Sequence, residues 1–135
     1  MTVNSHLSES IELRTARICL RDDGIISVHV KDDVDIVLED SRETFEVVKR
    51  LAGGKKKPVL VLTGSGGTIT NEVRKFSASK EAGEPTLAEA IVAKSLVHKL
   101  VVNFLIRFAN MGRPMKLFTN EREAVLWLNE MRGKH

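Results

Sequence analysis

The sequence predicts an α/β fold: a single mixed sheet, opened by a β-hairpin and flanked by about four helices. Three observations predict it. Two alternating apolar stretches flank Asp22-Asp23-Gly24. Segments of helical period then alternate with short apolar runs. The chain has 135 residues, long enough to bury a core without a disulfide or metal staple.

The hairpin comes first. Leu13 to Arg21 alternates, with Ala16, Ile18 and Leu20 on one face. Ile11 and Leu13 are out of phase with that face, which points to a bulge or an earlier strand end. Asp22, Asp23 and Gly24 form the turn, because Asp-Gly supplies positive φ. Ile25 to Lys31 returns, burying Ile26, Val28 and Val30. Met1 to Ser10 is polar and is expected to be a disordered tail, leaving one domain over residues 11–132.

A helix is expected from Asp40 to Ala52, with Phe45, Val48, Leu51 and Ala52 as its stripe and Gly53-Gly54 as its stop. Pro58 opens Val59-Leu60-Val61-Leu62, an unbroken apolar run that suits a central strand covered on both faces. Gly64 to Gly67 reads as a loose loop, and a second helix starts near Thr70 with Ile69, Val73 and Phe76 inward. Ala88 to Ala93 is ambiguous: Ile91-Val92 favour a strand, Leu87, Ala88 and Ala90 a helix. We read a strand, because Ser95 is then a natural N-cap for the helix that ends at Asn110, before Gly112 and Pro114. Met115 to Phe118 is the last strand. Asn120 with Glu123 caps a final helix carrying Ala124, Leu128 and Met131 on one face, with Trp127 beside them.

Four stretches of this pattern resemble the small bacterial SpoIIAA-like domains, also described as STAS/SEC14-like. They are the hairpin through Asp22-Asp23-Gly24, the strand Pro58 to Leu62 with its following loop and helix, the helix after Lys94-Ser95, and Leu117-Phe118-Thr119-Asn120 with Glu123-Ala124 and Trp127-Leu128. The resemblance spans residues 11–132. It implies a helix-flanked sheet, no catalysis, and roles in protein switching or in binding lipid-like ligands. In the phosphorylated antagonists of that group the switch is a Ser or Thr at the start of the helix after the central strand, a place held here by Ser65, Thr68 and Thr70. The chain departs from the pattern there: it has Leu62-Thr63-Gly64 and no Asp-Ser-Ser-Gly run.

Composition excludes several functions. Net charge is +3, and the only basic run, Lys55-Lys56-Lys57, sits in a turn, so no nucleic-acid face is expected. Aromatics are 4% of residues, leaving few platforms for stacking bases or sugars. Cys19 is the single cysteine and is expected to be partly buried and inert; with no apolar signal core or membrane span, the expectation is a cytoplasmic protein. Gly64 to Gly67 lacks the following Gly-Lys-Ser/Thr of a P-loop. Asp32, Asp33, Asp35, Glu39 and Asp40 lack calcium-loop spacing, and His6, His29, His98 and His135 lack zinc spacing. No acid–base pair stands out. We therefore expect no catalytic residue, cofactor or metal.

The helix from Ser95 to Asn110 is the most informative element. Lys99, Asn103, Arg107 and Asn110 share one polar stripe, leaving an apolar arc of roughly 240° where ~100° meets a core. Val97, Leu100, Val101, Phe104 and Phe108 can face the sheet, while Val102, Leu105, Ile106 and Ala109 remain on a flank. Another helix of the chain, a second subunit, or an apolar ligand or membrane surface can cover that flank. The expected function is a non-enzymatic regulatory or protein-interaction module, homodimeric through this helix. The alternative is a binder or carrier of an apolar, lipid-like ligand. A cavity beside the helix distinguishes the second from the first.

Overall fold

The structure is a computed structural model and describes residues 9–93, 95, 99–100, 102–103 and 112–134. The chain enters as a meander: β1 (Glu9–Glu12) pairs antiparallel with β2 (Ala16–Leu20), and β2 with β3 (Ile26–Val30). The sheet thus opens one strand before the expected hairpin, and Glu9 and Ser10, placed in the tail by the sequence, are strand. The phase slip at Ile11 and Leu13 is the break between β1 and β2, closed by Leu13 N–H donating to Ala16 O at 2.8 Å. The β2–β3 turn is looser than the tight form read from sequence. Gly24 N–H donates to Arg21 O (3.0 Å), Arg21 N–H to Ile25 O (2.9 Å), and of the turn residues only Gly24 has positive φ, at 86°. That is a three-residue turn with its glycine in the left-handed position.

β4 (Asp35–Ile36) leads into α1 (Leu38–Ala52), which ends at Gly53 with φ 64° as the glycine stop requires. β5 (Lys57–Leu62), β6 (Thr68–Ile69), α2 (Asn71–Ser77), β7 (Thr86–Val92), β8 (Met115–Phe118) and α3 (Glu121–Gly133) follow. The six-stranded mixed sheet has the order β1-β2-β3-β5-β7-β8, parallel from β3 onward. The sequence implied one sheet; a second, two-stranded parallel sheet joins β4 to β6. Thr68 and Ile69, which follow the expected loop and of which the sequence groups Ile69 with the second helix, therefore form a short strand.

Each face of the large sheet has its own core. On one, α1 places Val48, Leu51 and Ala52 over Ala16, Ile18, Ile26, Val28 and Val59. On the other, α3 places Ala124 and Leu128 over Ile25, Leu60, Ala88, Ala90 and Val92. Alanines on both sides of this contact let helix and strand lie close, and burying Leu128 contributes about 1.5–3 kcal/mol. Arg132 Nη1 donates to Asp23 O at 2.7 Å and ties the end of α3 to the β2–β3 turn. Ala88 to Val92 is strand, as read.

Among the described residues three helices have defined bounds, against the expected number of about four. The remaining one, Ser95 to Asn110, lies mostly outside the described residues. Lys99, Leu100, Val102 and Asn103 are helical, and Lys99 N–H donates to Ser95 O at 3.0 Å, the first bond expected of an N-cap at Ser95. The orientation reverses the expectation: Leu100 is 62% exposed and Val102 only 7%. An arc apolar over roughly 240° does not set its own rotation, so the surroundings decide it. Among the described residues no helix is long and apolar enough to cross a membrane.

Candidate functional site

The α1 face of the sheet is only partly filled. α1 lies over β2 and β3, and α2 packs on α1 through an edge-to-face pair, Phe45 and Phe76, with ring centroids 5.5 Å apart. α2 is seven residues long and stops at Ser77. Beside these helices lies a cavity of 520 Å³. Its floor is Val28, Val59, Val61 and Ile91, the outward alternation of β3, β5 and β7. Phe45 and Val48 wall one side, Val73 and Phe76 another, and Val102 contributes from the helix after Ser95. Of the four flank residues singled out in the sequence, Val102 is thus in the cavity wall; Leu105, Ile106 and Ala109 lie outside the described residues.

The rim is the Gly64 to Ile69 segment against Lys31 to Ile36. These two loops approach so closely that Gly64 and Gly67 have no room for a side chain. A Cβ on Gly64 would run into the Lys31 carbonyl, and one on Gly67, which has φ 75°, into the backbone of Val34. The candidate phosphorylation residues fall here, and all three positions are engaged. Ser65 N–H donates to Asp32 Oδ1 and its carbonyl accepts from Asp33 N–H, both at 2.8 Å. Thr68 Oγ1 donates to Asp35 Oδ1 at 2.8 Å. Thr70 Oγ1 accepts Val73 N–H at 3.2 Å and caps α2. With Asp32, Asp33 and Asp35 alongside, the loop is surrounded by negative charge, which opposes an anion there.

Charge inside the cavity comes from a pair the sequence reading missed. Glu89, on β7, and Arg113, before β8, both line it. Arg113 Nε donates to Glu89 Oε1 at 2.9 Å; its Nη2 reaches Ser77 O at 2.8 Å and its Nη1 reaches Ser79 O at 3.4 Å. The Arg113 side chain is 3% exposed and that of Glu89 16%. The legible signal was Glu89 itself, a lone acid inside the apolar stretch Leu87 to Ala93; a charge in a buried strand needs a partner. Nothing local marked Arg113 as that partner.

Among the described residues two further cations border the cavity. Lys31 Nζ donates to Leu13 O (2.7 Å) and pairs with Glu12 (2.5 Å), whose carboxyl it holds below the usual range. Arg74 donates to Asn71 Oδ1 at 2.9 Å in an exposed bond. Among the described residues no group of three His, Cys, Asp or Glu is placed to hold a metal. Cys19 is buried, with its Sγ 3.5 Å from Ser10 Oγ.

Comparison with known proteins bears on the fold and on the family. No curated protein matches the chain. An uncharacterized protein of the DUF3478 family from Shewanella loihica PV-4, solved by crystallography and described as having a SpoIIAA-like fold, aligns with 90% of this chain and 99% of its own. The TM-score is 0.59 at 19% identity, a likeness of fold. The family model described as a domain of unknown function, DUF7793, matches residues 18–132, from β2 through α3. The chain has a SpoIIAA-like fold and belongs to the DUF7793 family.

Proposed function

We propose that the chain is a non-enzymatic binding module that holds an apolar small molecule between its sheet and the α1/α2 pair. One observation carries this reading: the 520 Å³ cavity with aliphatic and aromatic walls, beside the helix that contains Val102. Small-molecule sites typically have roughly 300–1,000 Å³ and mostly apolar walls with a few fixed polar groups. The Glu89–Arg113 pair supplies such groups. Both partners are already bonded to protein, which suits them to orienting a ligand rather than to acid–base chemistry.

The test is binding of an environment-sensitive apolar fluorophore, with native mass spectrometry of protein taken directly from cells. We expect saturable binding at one site, weakened at least ten-fold by Val61→Phe, which fills the cavity floor. Ile91→Phe is the second filling variant should the first disturb folding. Absence of binding, or equal binding by folded filled variants, overturns the reading.

The protein-contact reading retains one supporting observation: Leu100 stands outward at 62% exposure on the same helix. A homodimer through that face would be reduced to monomer by Leu100→Asp in sedimentation experiments, with the fluorophore still bound.

A further inference from the structure

We propose that the cavity selects ligands whose polar end is a hydrogen-bond donor, an alcohol or a protonated amine on an aliphatic chain, and discriminates against carboxylates. The inference rests on the apolar-ligand reading and adds the chemistry of the head group. Its basis is how the Glu89–Arg113 pair is connected. Arg113 donates to Glu89 Oε1, to Ser77 O and to Ser79 O, with its side chain almost wholly buried. A guanidinium committed in this way has little left to offer an anionic head group. Glu89 is the more open partner, and a carboxylate has about four lone-pair sites, of which Arg113 Nε occupies one. The pair therefore presents spare acceptors to the cavity and few donors.

Charge gives the same sign. Glu89 and Arg113 neutralise each other, so an incoming carboxylate would be a second anion beside Glu89, and among the described residues no buried cation is left to match it, in an apolar surround where an unpaired charge is costly. Among the described residues the other bordering cations do not alter this. Lys31 is matched by Glu12 and bound to Leu13 O, and the Arg74 guanidinium lies at the exposed rim, where water screens it. A hydroxyl or ammonium head desolvates less unfavourably here, because Glu89 accepts its proton in a hydrogen bond.

The experiment uses three probes of equal chain length, 1-dodecanol, dodecylamine and dodecanoate, each competing with the apolar fluorophore on the full chain near neutral pH. There the amine is protonated and the acid ionised. We expect the alcohol and the amine to displace the fluorophore at concentrations at least ten-fold below that of dodecanoate. In Glu89→Gln the preference should shrink or invert, since Arg113 then carries an unmatched charge. Equal or tighter binding of dodecanoate to the unaltered protein overturns the inference while leaving the cavity reading intact. If the fluorophore binds and none of the three displaces it, the head-group inference fails; if the fluorophore itself does not bind, both readings fail. Should Glu89→Gln not fold, the ranking on the unaltered protein decides alone.

Discussion

Asp40 joins two requirements in one side chain. It is the third residue of α1, and its Oδ2 accepts Val37 N–H at 2.9 Å, satisfying a donor that the helix start leaves open. The same carboxylate takes Arg14 Nε at 3.1 Å and Arg14 Nη2 at 2.5 Å. The Arg14 guanidinium holds the Asp40 carboxyl below its ordinary pKa, against the opposing effect of burial and with help from Val37 N–H. A carboxyl whose folded pKa is depressed contributes stability that is present above its unfolded pKa, about 3.9, and lost as pH falls through the folded value. Asp40→Asn should therefore lower the unfolding free energy by about 1–2 kcal/mol at neutral pH. In urea titrations the gap to the unaltered protein should narrow below about pH 4. A gap independent of pH would show that the charge on Asp40 contributes nothing. In the sequence Asp40 reads only as one of the last acids of an acidic stretch, at the positive end of the first helix; its partner Arg14 lies 26 residues away, where no local pattern marks it.

At the scale of elements, the segment from Gly64 to Ile69 changes character between sequence and structure. Glycines in a loop are ordinarily read as freedom. Here they permit contact: β6 pairs with β4, and the Gly67 backbone passes against Val34. Gly53 makes the useful contrast. Its φ is 64°, near that of Gly67, but a Cβ there meets nothing within 4 Å. Gly53→Ala should cost about 1 kcal/mol, from the left-handed backbone alone. Gly67→Ala should cost more, about 2–3 kcal/mol, because strain and collision add. Urea midpoints measure both; equal costs would mean that the close approach of the two loops is not a constraint on the fold.

For the molecule as a whole, the two faces of the sheet are unequal. The α3 face is closed over alanines and leucine, while the α1 face carries a cavity. A ligand that enters the folded state and not the unfolded chain stabilises by mass action, about 2.7 kcal/mol at a hundred-fold excess over its Kd. For a domain of this size the corresponding rise in Tm is about 10 °C. Thermal unfolding with increasing 1-dodecanol should show this rise, and Val61→Phe should abolish it. An unchanged Tm at concentrations that saturate the fluorophore site would mean that binding is not to the folded cavity.

What the sequence by itself determined is local. Alternation located β2 and β3, the unbroken run Val59 to Leu62 marked β5 as central, and Thr70 and Asn120 announced the starts of α2 and α3, each accepting an N–H of the first turn. These signals are legible because they depend on neighbours within a few residues: a cap bonds three positions on, and a period states which side is buried. The tertiary structure alone decided what each side is buried against. It set the pairing of β4 with β6, the rotation that turns Leu100 outward and Val102 into the cavity, and the joining of Glu89 to Arg113 across 24 residues. Periodicity records that a face is apolar; whether a helix, a second chain or a cavity meets it depends on distances between elements that no local pattern encodes.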